Sequence, residues 1–378
     1  MHPGFSAYRE RLGEFIRRAE QLSAAQIDAT FQALALDLFQ LQFENVGPYR
    51  RLCESRGADP AQVTHWPTVP GMPTAAFKEF ALTSLTPEDR TRVFHSSGTT
   101  GQQPSRHFHN AASLLVYEQS LWPPFQRHLL TGLKTTPRLL CLSPSPALAP
   151  HSSLVHMFDT VRRELPAPAS AFMGRVASDG SWELDLNVTQ QALAEVASSG
   201  RPALVLGTAF SFVQLLDAFP DDDPPSSILH PRRCFVLPPG SRVMETGSYK
   251  GRTRELPKAE LYRLIGERLG VPPTHIVGEY GMSELSSQAY DHVAGEPVEP
   301  GKRFLRFPPW ARALLTSPET GQPVAEGETG LLRVFDLANV HSVMAIQTDD
   351  LGVRRGEGFE LVGRAPFAEP RGCSRMAR

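Results

Sequence analysis

Through residues 5–43 the apolar positions recur at three- and four-residue spacing. Phe5, Tyr8, Leu12, Phe15 and Ala19 form one stripe, and Ile27, Phe31, Leu34, Leu38 and Leu41 a second. That period predicts two amphipathic helices that turn their stripes to a core and their Arg and Glu side chains to water. A short helix is expected over residues 49–56 with Gly57 as its stop, followed by a proline-stiffened connector over residues 64–73. Thr86-Pro87-Glu88-Asp89 joins a hydroxyl cap, a first-position Pro and first-turn acids, and so predicts a helix start. The pattern then alternates. A β-type run at 91–94 precedes a helix from the cap Asn110 to residue 121, a strand at 138–142, a helix at 152–165 and an irregular excursion at 166–181. A helix at 189–199 closed by Gly200, a strand at 203–206 and a helix at 209–219 follow. Last come a strand at 234–237 and a helix at 258–269 closed by Gly270. Alternation at this spacing predicts an α/β core with a largely parallel sheet. From residue 298 the pattern changes to short β runs at 304–307, 331–336, 343–347 and 359–361, a β-rich appendage for which a small barrel is one arrangement. The expected organisation is a helical N-terminal region packed on the core (1–85), an α/β core (86–297) and a β-rich subdomain with a C-terminal tail (298–378).

Composition removes several function classes. Lys and Arg number 38 against 40 Asp and Glu, a net charge of −2, so no global electrostatic case exists for nucleic acid or an anionic membrane. No apolar run reaches the ~20 residues of a membrane-spanning helix, and the N-terminus reads as a charged amphipathic helix rather than an apolar signal core. The 4 cysteines, Cys53, Cys141, Cys234 and Cys373, are far apart and form no CxxC pair, which points to a reduced, cytoplasmic protein. Asp221-Asp222-Asp223 reads as a solvated turn rather than a metal site.

Candidate chemistry concentrates in three segments. Ser96, Ser97, Gly98, Thr99, Thr100 and Gly101 form a loop of hydroxyls and glycines, with Arg106 and His107 shortly after it. Glycines allow close backbone approach, and converging N–H and hydroxyl donors suit phosphate oxygens. The run lacks GxxxxGK[ST], so a Walker NTPase is disfavoured. Glu279-Tyr280-Gly281-Met282-Ser283-Glu284 follows a strand-like run and offers an aromatic face, a hydroxyl and a carboxylate on one short turn. Gln347-Thr348-Asp349-Asp350-Leu351-Gly352, with Gly363-Arg364 after it, places acids and an arginine near the ends of β runs. His107 and His109 alternate on a short strand; that spacing admits a metal pair, and packing is the favoured reading. No GxSxG, HExxH or GxGxxG occurs, which argues against a serine hydrolase, a zincin and a dinucleotide-binding fold.

In this order the three segments resemble the signature loops of the acyl-adenylating superfamily, which includes acyl-CoA ligases and firefly luciferase. The run 96–107, the segment 244–252 and the ending Arg371-Gly372-Cys373-Ser374 narrow the likeness to the acyl-protein synthetases of bacterial bioluminescence, the LuxE family. The resemblance covers the chain from about Pro70 onward. It implies the large N-terminal domain of an adenylating enzyme, with parallel-rich sheets and a small β-rich subdomain. It also implies ATP and Mg²⁺ as cofactors, a fatty acid or other carboxylic acid as substrate, and a LuxC-like acyl-protein reductase as partner. On the motif positions, residues 96–101 would cradle phosphates, Tyr280 would stack on adenine, Gly281 would belong to the ATP site, and Ser283 would donate to the α-phosphate where Thr is usual. Glu284 would hold Mg²⁺, Asp350 would accept the ribose hydroxyls, and Arg364 would approach ribose or phosphate. Cys373 would receive the acyl group as a thioester.

Two departures from the superfamily pattern stand out. The chain ends 14 residues after Arg364, leaving no room for the usual mobile C-terminal domain and its lysine, so Lys250 or Arg106 is expected to supply that cation. Asp349 stands where Gly is common. The rival readings are a phenylacetate–CoA-ligase-like enzyme with CoA as acceptor, and a non-catalytic nucleotide-binding subunit of a reductase complex.

Overall fold

A computed structural model describes residues 3–96, 103–165, 171–219, 235–247, 254–299 and 301–365. The chain divides into two compact units and passes between them more than once. The first draws on Met1–Pro124, Gly281–Ala289 and Phe304–Glu369, the second on Phe125–Tyr280, Tyr290–Arg303 and Pro370–Arg378.

The second unit holds the α/β alternation. Five of the strands of its six-stranded sheet are parallel, in the order Ile276–Tyr280, Arg242–Thr246, Ala203–Thr208, Arg138–Leu142 and Ala171–Phe172. Ala203–Thr208 is buried along its whole length, as a strand covered on both faces must be. Helices Leu186–Ser199, Ala209–Asp217 and Lys258–Leu269 bury Leu193, Val196, Phe212, Leu216, Leu261 and Ile265 in one core with Leu140, Val205 and Val243. Each large apolar side chain removed from water there contributes roughly 1.5–3 kcal/mol. Local signals start and stop these helices: Asp185 accepts from the Val188 N–H, and Gly200 takes the left-handed conformation at φ 68° that ends the first of them.

Three expectations over residues 110–237 need correction. The strand expected at 234–237 is absent over its described part. The Phe235 and Leu237 amides bond instead to the Arg268 and Leu269 carbonyls, which satisfies the helix end rather than a sheet. The strand lies further on, at Arg242–Thr246. There Arg242 is buried and donates to the Leu129 and Thr131 carbonyls at 2.7 and 2.6 Å. The excursion at 166–181 is partly regular: Gly174–Val176 and Trp182–Leu184 form an antiparallel hairpin. A Cβ on Gly174 would lie 2.4 Å from the Ser143 carbonyl carbon, so only glycine fits. The helix expected at 110–121 continues to Phe125 through Pro123 and Pro124 and ends in a π turn, Gln126–Leu130, because prolines withhold the N–H groups that the tighter ladder needs.

The first unit joins early helices to late strands. Pro3–Arg18 buries Phe5, Tyr8, Leu12, Phe15 and Ile16 as the periodicity predicts. Ala24–Asn45 opens with a Ser23–Gln26 capping box, and its buried stripe runs Phe31, Leu34, Ala35, Leu38, Phe39 and Gln42. The sheet of this unit runs Met72–Pro73, Ala345–Arg355, Thr329–Asp336 and Ala311–Thr316, with Gly358–Arg364 paired to the second of these strands. The Tyr8 hydroxyl donates to the Leu337 carbonyl at 3.1 Å, and Trp66 packs edge-on between Phe31 and Phe335 at 5.3 and 4.7 Å. The strand Ala311–Thr316 was not expected. Its Ala and Leu residues favour helix locally, and pairing along Thr329–Asp336 overrides that preference. The expected helix at Thr86 is a single 3₁₀ turn, Pro87–Asp89, because the β run begins three residues later.

Candidate active site

In the first unit, Arg92–His95 pairs antiparallel with Arg106–His109, placing Phe94 opposite His107 and His95 opposite Arg106. These strands frame the Ser/Thr/Gly loop, of which Ser97, Gly98, Thr99, Thr100 and Gly101 lie outside the described residues. At its foot the Ser96 hydroxyl accepts the Ser105 N–H at 2.9 Å. The Ser105 hydroxyl is buried and makes no hydrogen bond among the described residues, a donor that suits an anionic oxygen. Arg106 donates to the Lys78 carbonyl at 3.2 Å and lies over the Phe108 ring at 5.9 Å.

The signature turn is joined to this hairpin through Ser283. Its hydroxyl donates to the His95 carbonyl at 3.0 Å, and its own carbonyl accepts from His107 Nδ1 at 2.9 Å. In this state the Ser283 proton is directed at main chain rather than held for a phosphate. Next to it Glu284 is 2% exposed, and its carbonyl accepts from Asn339 Nδ2 at 2.8 Å. The residues that follow are fixed by Asp336. The Ser286 and Ser287 amides each donate to its Oδ2 at 2.8 Å, while the Ser287 hydroxyl and the Ala338 amide donate to Oδ1 at 2.7 and 3.0 Å. Asn339 in turn receives the Ser286 hydroxyl at 2.7 Å, and its carbonyl accepts from Gln42 at 2.7 Å. Burial pushes the Asp336 carboxyl up, against hydrogen bonds that all favour its charged form. The third segment is also assembled here: Arg364 Nε donates to Asp350 Oδ1 at 3.2 Å across paired strands.

In the second unit, Tyr280 ends the strand Ile276–Tyr280 and is 8% exposed. Beside it Glu279 accepts the Thr246 hydroxyl. Burial, opposed by that bond and aided by the charge of Glu245, pushes the Glu279 carboxyl up to about 7. Glu245 accepts from the Tyr262 hydroxyl at 3.1 Å. Asp291 behaves oppositely: burial raises it, but the His292 hydrogen bond and the Lys258 and Arg303 charges prevail and hold it at about 2. A raised folded value means that Glu279 favours folding below its unfolded pKa, near 4.5, and loses that contribution as pH rises to about 7. The loss is about 3 kcal/mol. Urea unfolding of wild type and Glu279→Gln at pH 5 and pH 8 checks this; equal pH dependence in both proteins contradicts it.

Ser96, Arg106, Gly281, Ser283, Glu284, Asp350 and Arg364 thus belong to the first unit and Tyr280 to the second. Lys250 and Cys373 lie outside the described residues. Sequence reasoning missed Asp336, Asn339, Gln42 and the tie of His107 to Ser283. Gln42 left a faint trace as a lone amide on an apolar helix face, and Asp336 as an acid ending an apolar β run. His107 and His109 pack with ring centroids 4.2 Å apart, and no metal-holding cluster of three or more acidic, His or Cys residues occurs among the described residues.

Comparison with known proteins narrows the chemistry. The chain is 23% identical over 370 residues to the long-chain-fatty-acid–luciferin-component ligase of Vibrio harveyi, covering 95% of this chain and 90% of that protein. It is 22% identical over 377 residues to the ligase of the same name from Aliivibrio fischeri, covering 95% and 91%. Among solved structures, 2-hydroxyisobutyryl-CoA ligase in complex with 2-HIB-AMP and CoA matches with a TM-score of 0.64 at 14% identity, over 92% of this chain and 70% of that one. This likeness bears out the fold of an acyl-adenylating enzyme. An ATP-bound RpMatB–BxBclM chimera is matched over only 50% of its own length, at a TM-score of 0.47. The model of the acyl-protein synthetase family LuxE matches residues 15–377, nearly the whole chain, and the chain belongs to that family.

Proposed function

We propose that this protein is an ATP- and Mg²⁺-dependent acyl-protein synthetase that activates a long-chain fatty acid and carries the acyl group on Cys373 for a LuxC-like reductase in the cytoplasm. The observation that carries the reading is the Ser283–Glu284 turn, bonded to both strands that frame the Ser/Thr/Gly loop. In the first half-reaction a carboxylate oxygen forms a bond to the α-phosphorus of ATP, and pyrophosphate leaves. In the second the Cys373 thiolate bonds to the acyl carbon, the bond to the phosphate oxygen breaks, and AMP leaves. Thioester, AMP and pyrophosphate together account for every atom.

The donor set suits these anions. The unpaired buried hydroxyl of Ser105 fits an anionic oxygen, and Glu284 offers the hard oxygen that Mg²⁺ prefers. With no larger acidic cluster among the described residues, phosphate oxygens and water would complete the metal shell, the usual Mg²⁺ pattern. Bound there, Mg²⁺ would neutralise charge on the phosphates. Asp350, oriented by Arg364, would accept from ribose, and Tyr280 would present a flat face to adenine. The likeness to the acyl-protein synthetases supports the proposed reductase partner, as does the chemistry of a thioester, which is poised for hydride reduction.

Intact-protein mass after incubation with ATP, Mg²⁺ and straight-chain fatty acids, without CoA, tests the reading. One acyl group gained and lost with hydroxylamine supports it. AMP formed only once CoA is added would make the protein a CoA ligase instead, and ATP binding with neither product would make it a non-catalytic subunit. Glu284→Gln is expected to lower ATP–pyrophosphate exchange about 100-fold or more, as loss of a group stabilising transition-state charge does. Exchange within a few-fold of wild type would remove Glu284 from the metal site.

A further inference from the structure

We infer that His107 is a positioning residue: as a neutral imidazole donating from Nδ1, it clasps the Ser283 carbonyl and makes the phosphate-loop hairpin and the signature turn one rigid frame. This deepens the proposed adenylation and rests on it for the kinetic consequence, though not for the clasp itself.

The geometry carries the inference. A carbonyl oxygen can only accept, so the 2.9 Å contact requires a proton on Nδ1. The ring is 2% exposed, and its sides are set by Phe77 at 6.2 Å and His109 at 4.2 Å between centroids. Burial pushes the ring down to about 4 despite the Ser283 bond, so it stays uncharged at neutral pH and is unsuited to act as an acid. On the partner strand the His95 carbonyl accepts the Ser283 hydroxyl at 3.0 Å. Ser283 is therefore tied by its side chain to one strand and by its main chain to the other. Those are the two strands joined by the Ser/Thr/Gly loop, and Glu284 is the next residue. A buried histidine that only filled space would not need a proton on one particular nitrogen.

Bond counting gives the test. The amide nitrogen of Asn stands the same number of bonds from Cβ as Nδ1, that of Gln one bond further, and Leu offers no donor. Hydrogen exchange read by mass spectrometry over the hairpin and residues 283–285 measures the clasp with or without activity. His107→Leu is expected to speed exchange in both segments about 5- to 10-fold, the worth of one hydrogen bond, and His107→Asn to leave it near wild type. In pyrophosphate exchange, His107→Leu is expected to lower kcat/KM for ATP by roughly 10- to 100-fold, as sub-ångström misplacement does. His107→Asn should stay within about 3-fold, with an unchanged pH profile from pH 6 to 9. Should the Leu variant not fold, His107→Gln takes its place with the same expectation. Leu or Gln matching wild type in hydrogen exchange, or Asn as impaired as Leu, overturns the clasp. So does a near-neutral inflection in wild type that vanishes in Asn, which would make the ring an acid–base group. A wild type that adenylates nothing while the clasp behaves as stated would sink the proposed function and leave the positioning contact standing.

Discussion

A Cys373→Ser chain is expected to continue ATP–pyrophosphate exchange while retaining no acyl group that neutral hydroxylamine removes. The two half-reactions use different groups, so loss of the acceptor thiol should leave adenylate formation intact. Two of the four cysteines are poor rivals. Cys53 is 0% exposed and burial pushes its thiol up to about 11, whereas Cys141 is 1% exposed and is pushed up further still by burial. A thiol raised this far carries almost no thiolate at neutral pH, and the thiolate is the nucleophile. Cys234 and Cys373 lie outside the described residues. Of these, Cys373 has Arg371, Arg375 and Arg378 close in sequence, cations that favour its thiolate. Intact mass of wild type, Cys373→Ser and Cys234→Ser separates them. Undiminished acylation of Cys373→Ser with loss in Cys234→Ser would move the acceptor to residue 234.

Asp336→Asn should destabilise the protein by about 3–5 kcal/mol, a large share of a domain's stability. Each carboxylate oxygen of Asp336 receives two donors, and the residue is 0% exposed. An amide turns an NH₂ toward one of those pairs, leaving buried donors facing a donor, and each such group costs about 1–3 kcal/mol. The damage would not be confined to stability. Ser286 and Ser287 lie two and three residues after Glu284, and Asn339, three residues beyond Asp336, holds the Glu284 carbonyl. Urea unfolding measures the loss. A change below about 1 kcal/mol would mean that water replaces the network, contrary to the burial seen here.

What the sequence by itself determined were features written in neighbouring residues. The stripe Phe5, Tyr8, Leu12, Phe15 specifies a helix face because 3.6-residue periodicity needs no partner to be recognised. Asp185 and Gly200 bound their helix through main-chain geometry local to one turn. Strand–helix alternation implied the parallel sheet, and three short motifs in order implied adenylation chemistry and the family to which the chain belongs. Only the tertiary structure decided features whose partners are distant in the chain. Ala311–Thr316 is a strand because Thr329–Asp336 lies beside it, against the helical preference of its own residues. The 235–237 segment gave up its amides to a helix end some thirty residues later. His107 meets Ser283 across 176 residues, and Gln42 meets Asn339 across 297. A hydrogen bond of that span leaves no periodicity in the sequence. Its donor and acceptor are chosen by which polar groups the packed core would otherwise strand away from water, and that requirement exists only once the core has formed.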